Sequence, residues 1–291
     1  MLGLVAAISS GCLFPSLDDF AGGDAGSDSS TNDAGNKDGA ISDAAQEAGS
    51  DAGNDAGSDA GFKAGIGCAA ATPDLLAYYT LDEGSGTVVH DCVSSPANDG
   101  NVLNPSHTSW VTGQHAKALE IDPFNGVCVT IDFATPTFAF GGTNAKPFTV
   151  AMWLYVIALP ASGEIGYIAG LSSNISAAGW RLSVAPAGTI QLAVPDGKGS
   201  IANVTGPQIA TGAWHHVAAV YAGANSAMYL DAQPGTTQAL PTSWTADVSS
   251  DHMRVGCSSD DQHQLDARVD EIRFYNRALS AAEITIVKNA Q

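Results

Sequence analysis

The chain has 291 residues and a formal net charge of −19, from 30 acidic and 11 basic side chains. Nucleic-acid binding requires a basic surface, so this composition argues against a nucleic-acid partner. The acidic balance is compatible with cation binding and with neutral ligands, and the length is sufficient for one large domain.

The amino terminus is a short apolar run, MLGLVAAISSG, that ends in small residues directly before Cys12. The run is too short to span a membrane. Residues 1–12 resemble the export signal of a bacterial lipoprotein, which implies that Cys12 carries a lipid anchor. Leu13, by the same resemblance, favours an outer-membrane protein of the bacterial cell envelope. The alternative is an uncleaved apolar terminus with an incidental cysteine.

Residues 13–67 are rich in Asp, Ala, Gly and Ser, and the segment Ser50–Gly61 reads SDAG, NDAG, SDAG. Between Asp18 and Gly61 there are 11 acidic residues and one Lys, so this stretch carries −10 and the remainder of the chain carries −9. The segment has too few apolar side chains for their burial to offset the conformational entropy that the chain would lose on folding. We expect a disordered tether with an end-to-end distance of roughly 35–40 Å.

From Leu75 onward, short apolar segments alternate with clusters of Gly, Pro, Asn and Asp, which is the pattern of an all-β, two-sheet antiparallel sandwich. A short helix is predicted at the carboxyl terminus, because Ser280 and Glu283 form a capping-box pattern. The segments predicted as strands are Leu75–Leu81, Ala118–Asp122, Gly126–Asp132, Phe148–Val156, Gly179–Val184, Ile190–Val194, Trp214–Tyr221, Ala227–Asp231, His252–Gly256 and Val269–Tyr275.

Four cysteines follow Cys12, and an even number in an exported domain predicts two disulfides. Three pairings are possible. We favour Cys68–Cys92, at the entrance to the domain, and Cys128–Cys257, between strands.

Several motifs appear in a fixed order. They include LLAYYTLDEGSGTVVHDC, KPFTVAMWLYV, WHHVAAVY at Trp214–Tyr221 and VDEIRFYNRALSAAEI at Val269–Ile284. They resemble the laminin-G-like jelly-roll domains of the concanavalin A-like lectin/glucanase superfamily. The resemblance extends over about three quarters of the chain, and we assign residues 68–291 to this domain. It implies a scaffold that mostly binds ligands and only in some members is an enzyme.

The resemblance also implies a calcium site, since many members of the superfamily bind one ion near the edge of the sandwich. Asp91 and Asn98 belong to a loop like that of the family, and Asp270 lies on the closing strand. Backbone carbonyls would have to complete the ligand shell of Ca²⁺. The alternative is that Asp91 and Asn98 make turn hydrogen bonds and that Asp270 pairs with Arg273 or Arg277.

Exposed aromatic side chains near amides and carboxylates are the usual platform for a sugar. Trp244, in the polar loop PTSWTADVSSD, is the first candidate, followed by Trp110 and Tyr167. The alternative for each ring is packing within its loop. Trp153 and Trp214 lie in strand segments and are expected in the core.

Catalytic residues are not expected. Glu120 and Asp122 match the first two places of the E-x-D-x-x-E motif of laminarinase-type hydrolases, but Asn125 occupies the third place and cannot act as an acid or nucleophile. His215 and His216 would point to opposite faces of a strand and are interpreted as structural.

The sequence therefore predicts a non-catalytic module, anchored at the cell surface, that binds a glycan or an extracellular protein. Calcium is a candidate ion, and the membrane is contacted only through the lipid. The alternatives are a divergent glycan hydrolase of the same fold and a purely structural protein of the envelope.

Overall fold

The computed structural model describes residues 74–94, 97–132, 137–172, 175–248, 252–259 and 263–290. In this part of the chain, the strands form two sheets of eight strands each, and all pairings between strands are antiparallel. The predicted all-β sandwich is therefore confirmed. The predicted signal and tether, with Cys12 and Cys68, lie outside the described residues.

In chain order the strands are β1 (Leu75–Tyr79), β2 (Val88–Val89), β3 (Gly100–Val102), β4 (Ser109–Thr112), β5 (Lys117–Ile121), β6 (Val129–Asp132), β7 (Phe148–Ala158), β8 (Gly166–Leu171), β9 (Trp180–Val184), β10 (Thr189–Pro195), β11 (Ile201–Gln208), β12 (Trp214–Tyr221), β13 (Ala227–Leu230), β14 (Gln233–Pro234), β15 (His252–Val255) and β16 (Asp266–Tyr275). The helix α1 spans Ala281–Asn289, and two short 3₁₀ helices span Pro105–His107 and Gly223–Asn225.

Sheet A has the order β14-β13-β12-β7-β16-β5-β4, with β1 also paired to β16, and sheet B has the order β11-β10-β9-β8-β15-β6-β3-β2. Strands distant in sequence are neighbours, as β7 lies between β12 and β16. This order requires long connections across the ends of the sandwich, and those connections are where function is most often located.

The core lies between the two sheets and consists of alternate side chains of their strands. Its largest buried members include Trp180, Phe148 and Phe274, and the Trp180 ring contacts the rings of both phenylalanines. Cys128 and Cys257 form a disulfide with a Cα–Cα distance of 5.9 Å, which is the pairing favoured from the sequence. The pairing of Cys92 with Cys68 stays a prediction.

The carboxyl-terminal helix α1 covers part of the outer face of sheet A. Its capping box is present, because the Ser280 side chain accepts from the Glu283 amide and the Glu283 side chain accepts from the Ser280 amide. Ile284 and Val287 are buried in a second apolar cluster, together with Tyr78 and Tyr275. The helix predicted at this position is confirmed. None of the helices in the described ranges is long and apolar enough to cross a membrane.

Candidate ligand-binding site

Asp91 and Asn98 lie together in the loop after β2, and their polar atoms bond within the protein. The Asp91 carboxylate accepts from the amides of Tyr78, Val93 and Asn98 at 3.0–3.2 Å, and also from the Ser94 hydroxyl. This is the turn hydrogen bonding that was the alternative to a calcium site. N–H donors directed at both carboxylate oxygens occupy the lone pairs that a cation would need, so these residues fit Ca²⁺ poorly.

Asp270 contacts a different part of the molecule. It is fully buried on β16, and its Oδ2 accepts from the His115 amide at 2.9 Å. Burial raises its pKa to about 8, and the His115 amide opposes that shift. Neither of the expected arginine partners is present, because Arg273 pairs with Glu271 and Arg277 pairs with Asp74 and Glu283. The ion pair of Asp270 that was the alternative to calcium is wrong, and calcium binding stays a prediction that this placement does not favour.

Two of the three aromatic candidates are buried, which corrects the prediction that they form a sugar platform. Trp244 is 4% exposed and contacts the Tyr221 ring edge-on at 4.6 Å. Tyr167 is 3% exposed. Trp110 is half-buried, and its indole nitrogen donates to the Gly86 carbonyl at 3.2 Å. The polar sequence around Trp244 suggested exposure, but the loop folds back and inserts its ring into the core.

Glu120 and Asp122, the residues of the incomplete hydrolase motif, are engaged in other contacts. Glu120 accepts from the Arg268 Nε at 2.8 Å. The Asp122 carboxylate accepts from the Phe124 amide at 2.8 Å and from the Asn125 side chain at 2.7 Å. The Asn125 hydrogen bond lowers the pKa of Asp122, and the residue closes a turn.

His215 and His216 point in different directions, as expected for a strand. His215 contacts the Asp231 carboxylate at 2.8 Å, whereas His216 is fully buried against the Trp153 ring at 5.4 Å. Burial lowers the pKa of His216 to about 3, so its ring is neutral at physiological pH. Trp153 lies opposite His216 on the outer side of sheet A and is only 7% exposed.

A cleft of about 620 Å³ opens at one end of the sandwich, where four connections meet. They are the residue pair after β3, the turn between β5 and β6, the β7–β8 loop and the segment that precedes β16. Side chains of mixed character line it: Leu103, Asn104, Pro123, Gly126, Pro160, Ala161, Glu164, Ile165, His263 and Gln264. This volume is in the range of small-molecule sites.

The polar groups of this cleft combine a carboxylate, an imidazole and two carboxamides. Glu164 and His263 face each other at 3.3 Å and both are exposed. Asn104 donates to the Gly126 carbonyl at 3.0 Å, which ties the β3 end to the β5–β6 turn. Gly126 has φ 67°, and a side chain there would collide with the Asn104 amide, so glycine is required for this contact. Such groups can hydrogen-bond sugar hydroxyls or peptide groups.

Phe124 lies in the same turn as two of the lining residues and is 89% exposed, the most exposed large apolar side chain of the described residues. An exposed ring beside amides and a carboxylate is the arrangement that the sequence analysis expects of a sugar platform. The sequence signal was present in the turn Pro123–Gly126, because an aromatic residue in a four-residue turn between two strands has no core to enter.

The comparisons with known proteins agree with this architecture. A family model described as the concanavalin A-like lectin/glucanases superfamily matches residues 130–285. No curated protein matches the chain.

Solved structures share the fold at low sequence identity. The binding domain of Paraclostridial Mosquitocidal Protein 1 has a TM-score of 0.59 at 15% identity, over 74% of this chain and 52% of that one. The binding domain of botulinum neurotoxin DC, solved with rat synaptotagmin II, has a TM-score of 0.57 at 10% identity, over 74% of this chain and 51% of that one. A Trypanosoma rangeli sialidase has a TM-score of 0.51 at 18% identity, over 73% of this chain and 32% of that one.

This chain thus spans about half the length of the two toxin domains and about a third of the sialidase. At these identities the likeness establishes the fold and no more. Together with the family match over more than half of its residues, it shows that the chain belongs to the concanavalin A-like lectin/glucanases superfamily, as a laminin-G-like jelly-roll member.

Proposed function

We propose that this domain is a non-catalytic binding module and that it binds a glycan in the cleft beside Phe124. The observation that carries the proposal is the exposed Phe124 ring, held in a turn whose neighbouring residues line a polar cleft of about 620 Å³. An apolar ring exposed to water in this position costs solvation free energy that stacking on a sugar face would recover.

The chemistry of the lining supports a glycan more than an apolar ligand. Asn104 and Gln264 supply carboxamides, and Glu164 and His263 supply charged or polar groups. These groups bind hydroxyls in directed geometry, and the Phe124 ring adds contact area at low conformational cost. A protein loop that presents amide and hydroxyl groups is the second ligand class for the same cleft.

The hydrolase alternative requires two carboxyl groups that can act as acid and nucleophile, about 5–5.5 Å apart for retention of configuration. Glu120 is held in an ion pair with Arg268, and Asp122 is held in a turn. These contacts support the binding proposal over the enzyme.

The proposal includes presentation at the cell surface. Support comes from the lipoprotein-like segment that ends at Cys12 and from the acidic composition of residues 13–67. We propose an outer-membrane anchor, with the tether holding the domain away from the lipid headgroups.

A glycan array tests the proposal. The labelled protein is compared with Phe124→Ala and with Ile286→Ala, which removes another exposed apolar side chain, 67% exposed on α1. Both substitutions are at the surface, so both variants should fold. We expect the parent protein and the Ile286 variant to bind the same defined glycans. The Phe124 variant should no longer bind them.

Two results would contradict the proposal. Equal binding by the Phe124 variant would show that the cleft is not the site. An array without signal for the parent protein, both with calcium and with chelator, would favour the structural envelope protein.

A further inference from the structure

The cleft beside Phe124 is open to solvent and carries negative charge. Glu164 lines it with a side chain that is 59% exposed, and neither Lys nor Arg is among the lining residues that the structure describes. The Glu164 amide donates to the Ala161 carbonyl at 3.0 Å, so a turn of the β7–β8 loop fixes the point from which this side chain leaves. A ligand that enters the cleft therefore meets a carboxylate held at a defined position.

His263 lies against Glu164 without cancelling its charge permanently. Its Nδ1 is 3.3 Å from the Glu164 carboxylate, and its carbonyl accepts from the Tyr167 amide at 2.7 Å, which holds the backbone in place. A neutral imidazole can donate an N–H to a carboxylate and leave the negative charge intact. Both side chains are exposed, so their contact is weak and a cationic ligand can compete with it.

A second carboxylate lies at the base of the turn that carries the Phe124 ring. Asp122 directly precedes the lining residue Pro123, and its carboxylate accepts from the Phe124 amide at 2.8 Å and from the Asn125 side chain at 2.7 Å. The Asn125 hydrogen bond, with a smaller contribution from the Phe124 amide, lowers the pKa of Asp122. Both donors are neutral groups, so Asp122 keeps its charge beside the ring.

The start of β16 adds to this negative charge. Asp266 follows the lining residue Gln264 by two positions. Burial, followed by the charges of Asp122 and Glu120, raises the pKa of Asp266, so these carboxylates are close enough to repel one another. The Arg268 guanidinium lies in the same group and is already paired with Glu120 at 2.8 Å. This end of the sandwich therefore attracts cations and repels anions.

The Phe124 ring favours the same kind of ligand. The face of an aromatic ring carries partial negative charge and attracts an ammonium group, and it also stacks on the apolar face of a sugar. Phe124 is 89% exposed, so its ring is accessible to a ligand. The ring and the Glu164 carboxylate belong to two of the connections that form the cleft, so one sugar residue can contact both.

We infer that the cleft binds an amino sugar, with its protonated amine held by Glu164 and its ring stacked on Phe124. This inference rests on the proposed glycan site and adds the chemical class of the sugar. An acidic sugar would bring its own carboxylate to Glu164, with no Lys or Arg among the lining residues to pair with it. A neutral sugar can enter the cleft but gains nothing from the charge of Glu164.

The test compares three trisaccharides in titrations of the full chain, followed by calorimetry or amide chemical shifts. They are the trisaccharide of glucosamine, cellotriose, which has the same linkage with hydroxyls in place of the amines, and trigalacturonate. At about pH 6.5 the carboxylates are ionised and amines carry charge. We expect the glucosamine trisaccharide to bind about fivefold or more tightly than cellotriose, and trigalacturonate to bind most weakly. Added salt should reduce the preference for the amine.

Two variants locate the charge that carries the preference. Glu164→Gln keeps the size and an acceptor oxygen, so it should bind cellotriose within about twofold of the parent protein while its preference for the amine falls by about threefold or more. The control is Asp196→Asn in the β10–β11 connection, at the other end of the strands from the β7–β8 loop. Asparagine can still accept from the Lys198 and Ser200 amides there, so this variant should keep the full preference.

The inference is overturned if the glucosamine trisaccharide does not bind, if cellotriose or trigalacturonate binds as tightly, or if Glu164→Gln keeps the full preference. Each of these results leaves the proposed function standing as long as Phe124→Ala loses the glycan that the parent protein does bind. If Phe124→Ala binds every glycan like the parent protein, the proposed function fails as well.

Discussion

One arginine on the outer face of each sheet shows two different ways of holding a charge. On sheet A, Arg273 is 3% exposed, pairs with Glu271 at 2.6 Å and lies over the Tyr78 ring at 4.0 Å. On sheet B, Arg181 is half-buried with its Nε unpaired. Arg273 has a carboxylate partner within the chain, whereas the Arg181 Nε has no hydrogen bond. On a fold shared by many proteins, such differences at the surface are more informative about function than the core is.

Breaking the buried Arg273–Glu271 ion pair on sheet A should have the largest effect on stability. Arg273→Ala leaves Glu271 buried without its cation, and the cost in unfolding free energy is expected to be about 3–5 kcal/mol. The measurement is urea or thermal unfolding. The control is Arg277→Ala, whose pairs with Asp74 and Glu283 are more than a third exposed. It should cost about 1 kcal/mol or less. If both variants lost the same unfolding free energy, the buried ion pair would contribute no more to stability than the exposed one.

Asp270 tests the comparison through pH, because it is a buried carboxyl group of sheet A with one oxygen that makes no hydrogen bond. Burial raises its pKa to about 8, and its Oδ1 has no hydrogen bond. Its pKa in the unfolded chain is about 3.9, so the folded protein favours the protonated form. The resulting stability is present below about pH 4 and is lost as the pH rises toward about 8.

Asp270→Asn removes this dependence. Melting temperatures of the variant and the parent protein should be similar near pH 4, with the variant higher by a few degrees near pH 8.5. His216 titrates in both proteins and cancels from the difference. A difference that is flat across this pH range would mean that Asp270 is ionised in the folded state.

Two fully buried serines provide a smaller and closely matched contrast. Ser226 accepts from the Ala222 amide at 3.0 Å and donates to the Gly223 carbonyl at 2.9 Å, whereas Ser183 has no hydrogen-bond partner. Ser226→Ala should lower the unfolding free energy by about 1–3 kcal/mol, because it leaves backbone groups unpaired. Ser183→Ala should be neutral or stabilising. A comparable loss in both variants would show that Ser183 already has a partner.

Calcium should have the smallest effect. The Asp91 oxygens accept hydrogen bonds from three backbone amides and a hydroxyl, and Asp270 contacts another turn. We expect the melting temperature in calcium chloride and in chelator to agree within about 1 °C. A shift of several degrees that disappears in Asp91→Asn would reinstate the calcium site.

The fold was predictable because strand periodicity and turn residues are local signals that the sandwich obeys. WHHVAAVY forms β12 and the closing segment forms β16 and α1, in agreement with the sequence. Six strands were not predicted: β2, β3, β4, β8, β11 and β14. Five of them are short, or most of their residues face water or pair at an edge, so they show no apolar alternation. Strand β8 is buried along its whole length and contains two glycines, so it shows no alternation either.

The sites were harder to predict because exposure depends on how loops fold back. Trp244 has polar neighbours and is nevertheless in the core, whereas Phe124 follows a strand and is exposed. Arg181 is an ordinary residue of an alternating strand in the sequence. The strand pairing places Gly170 and Ala193 beside it, and its Nε makes no hydrogen bond.

The most direct test of the binding proposal is the dissociation constant of the strongest glycan from the array, measured for three proteins. They are the parent protein, Phe124→Ala and Ile286→Ala. We predict that Phe124→Ala weakens binding by about tenfold or more and that Ile286→Ala stays within about twofold of the parent protein. Dissociation constants that agree for all three proteins would contradict the assignment of the cleft as the glycan site.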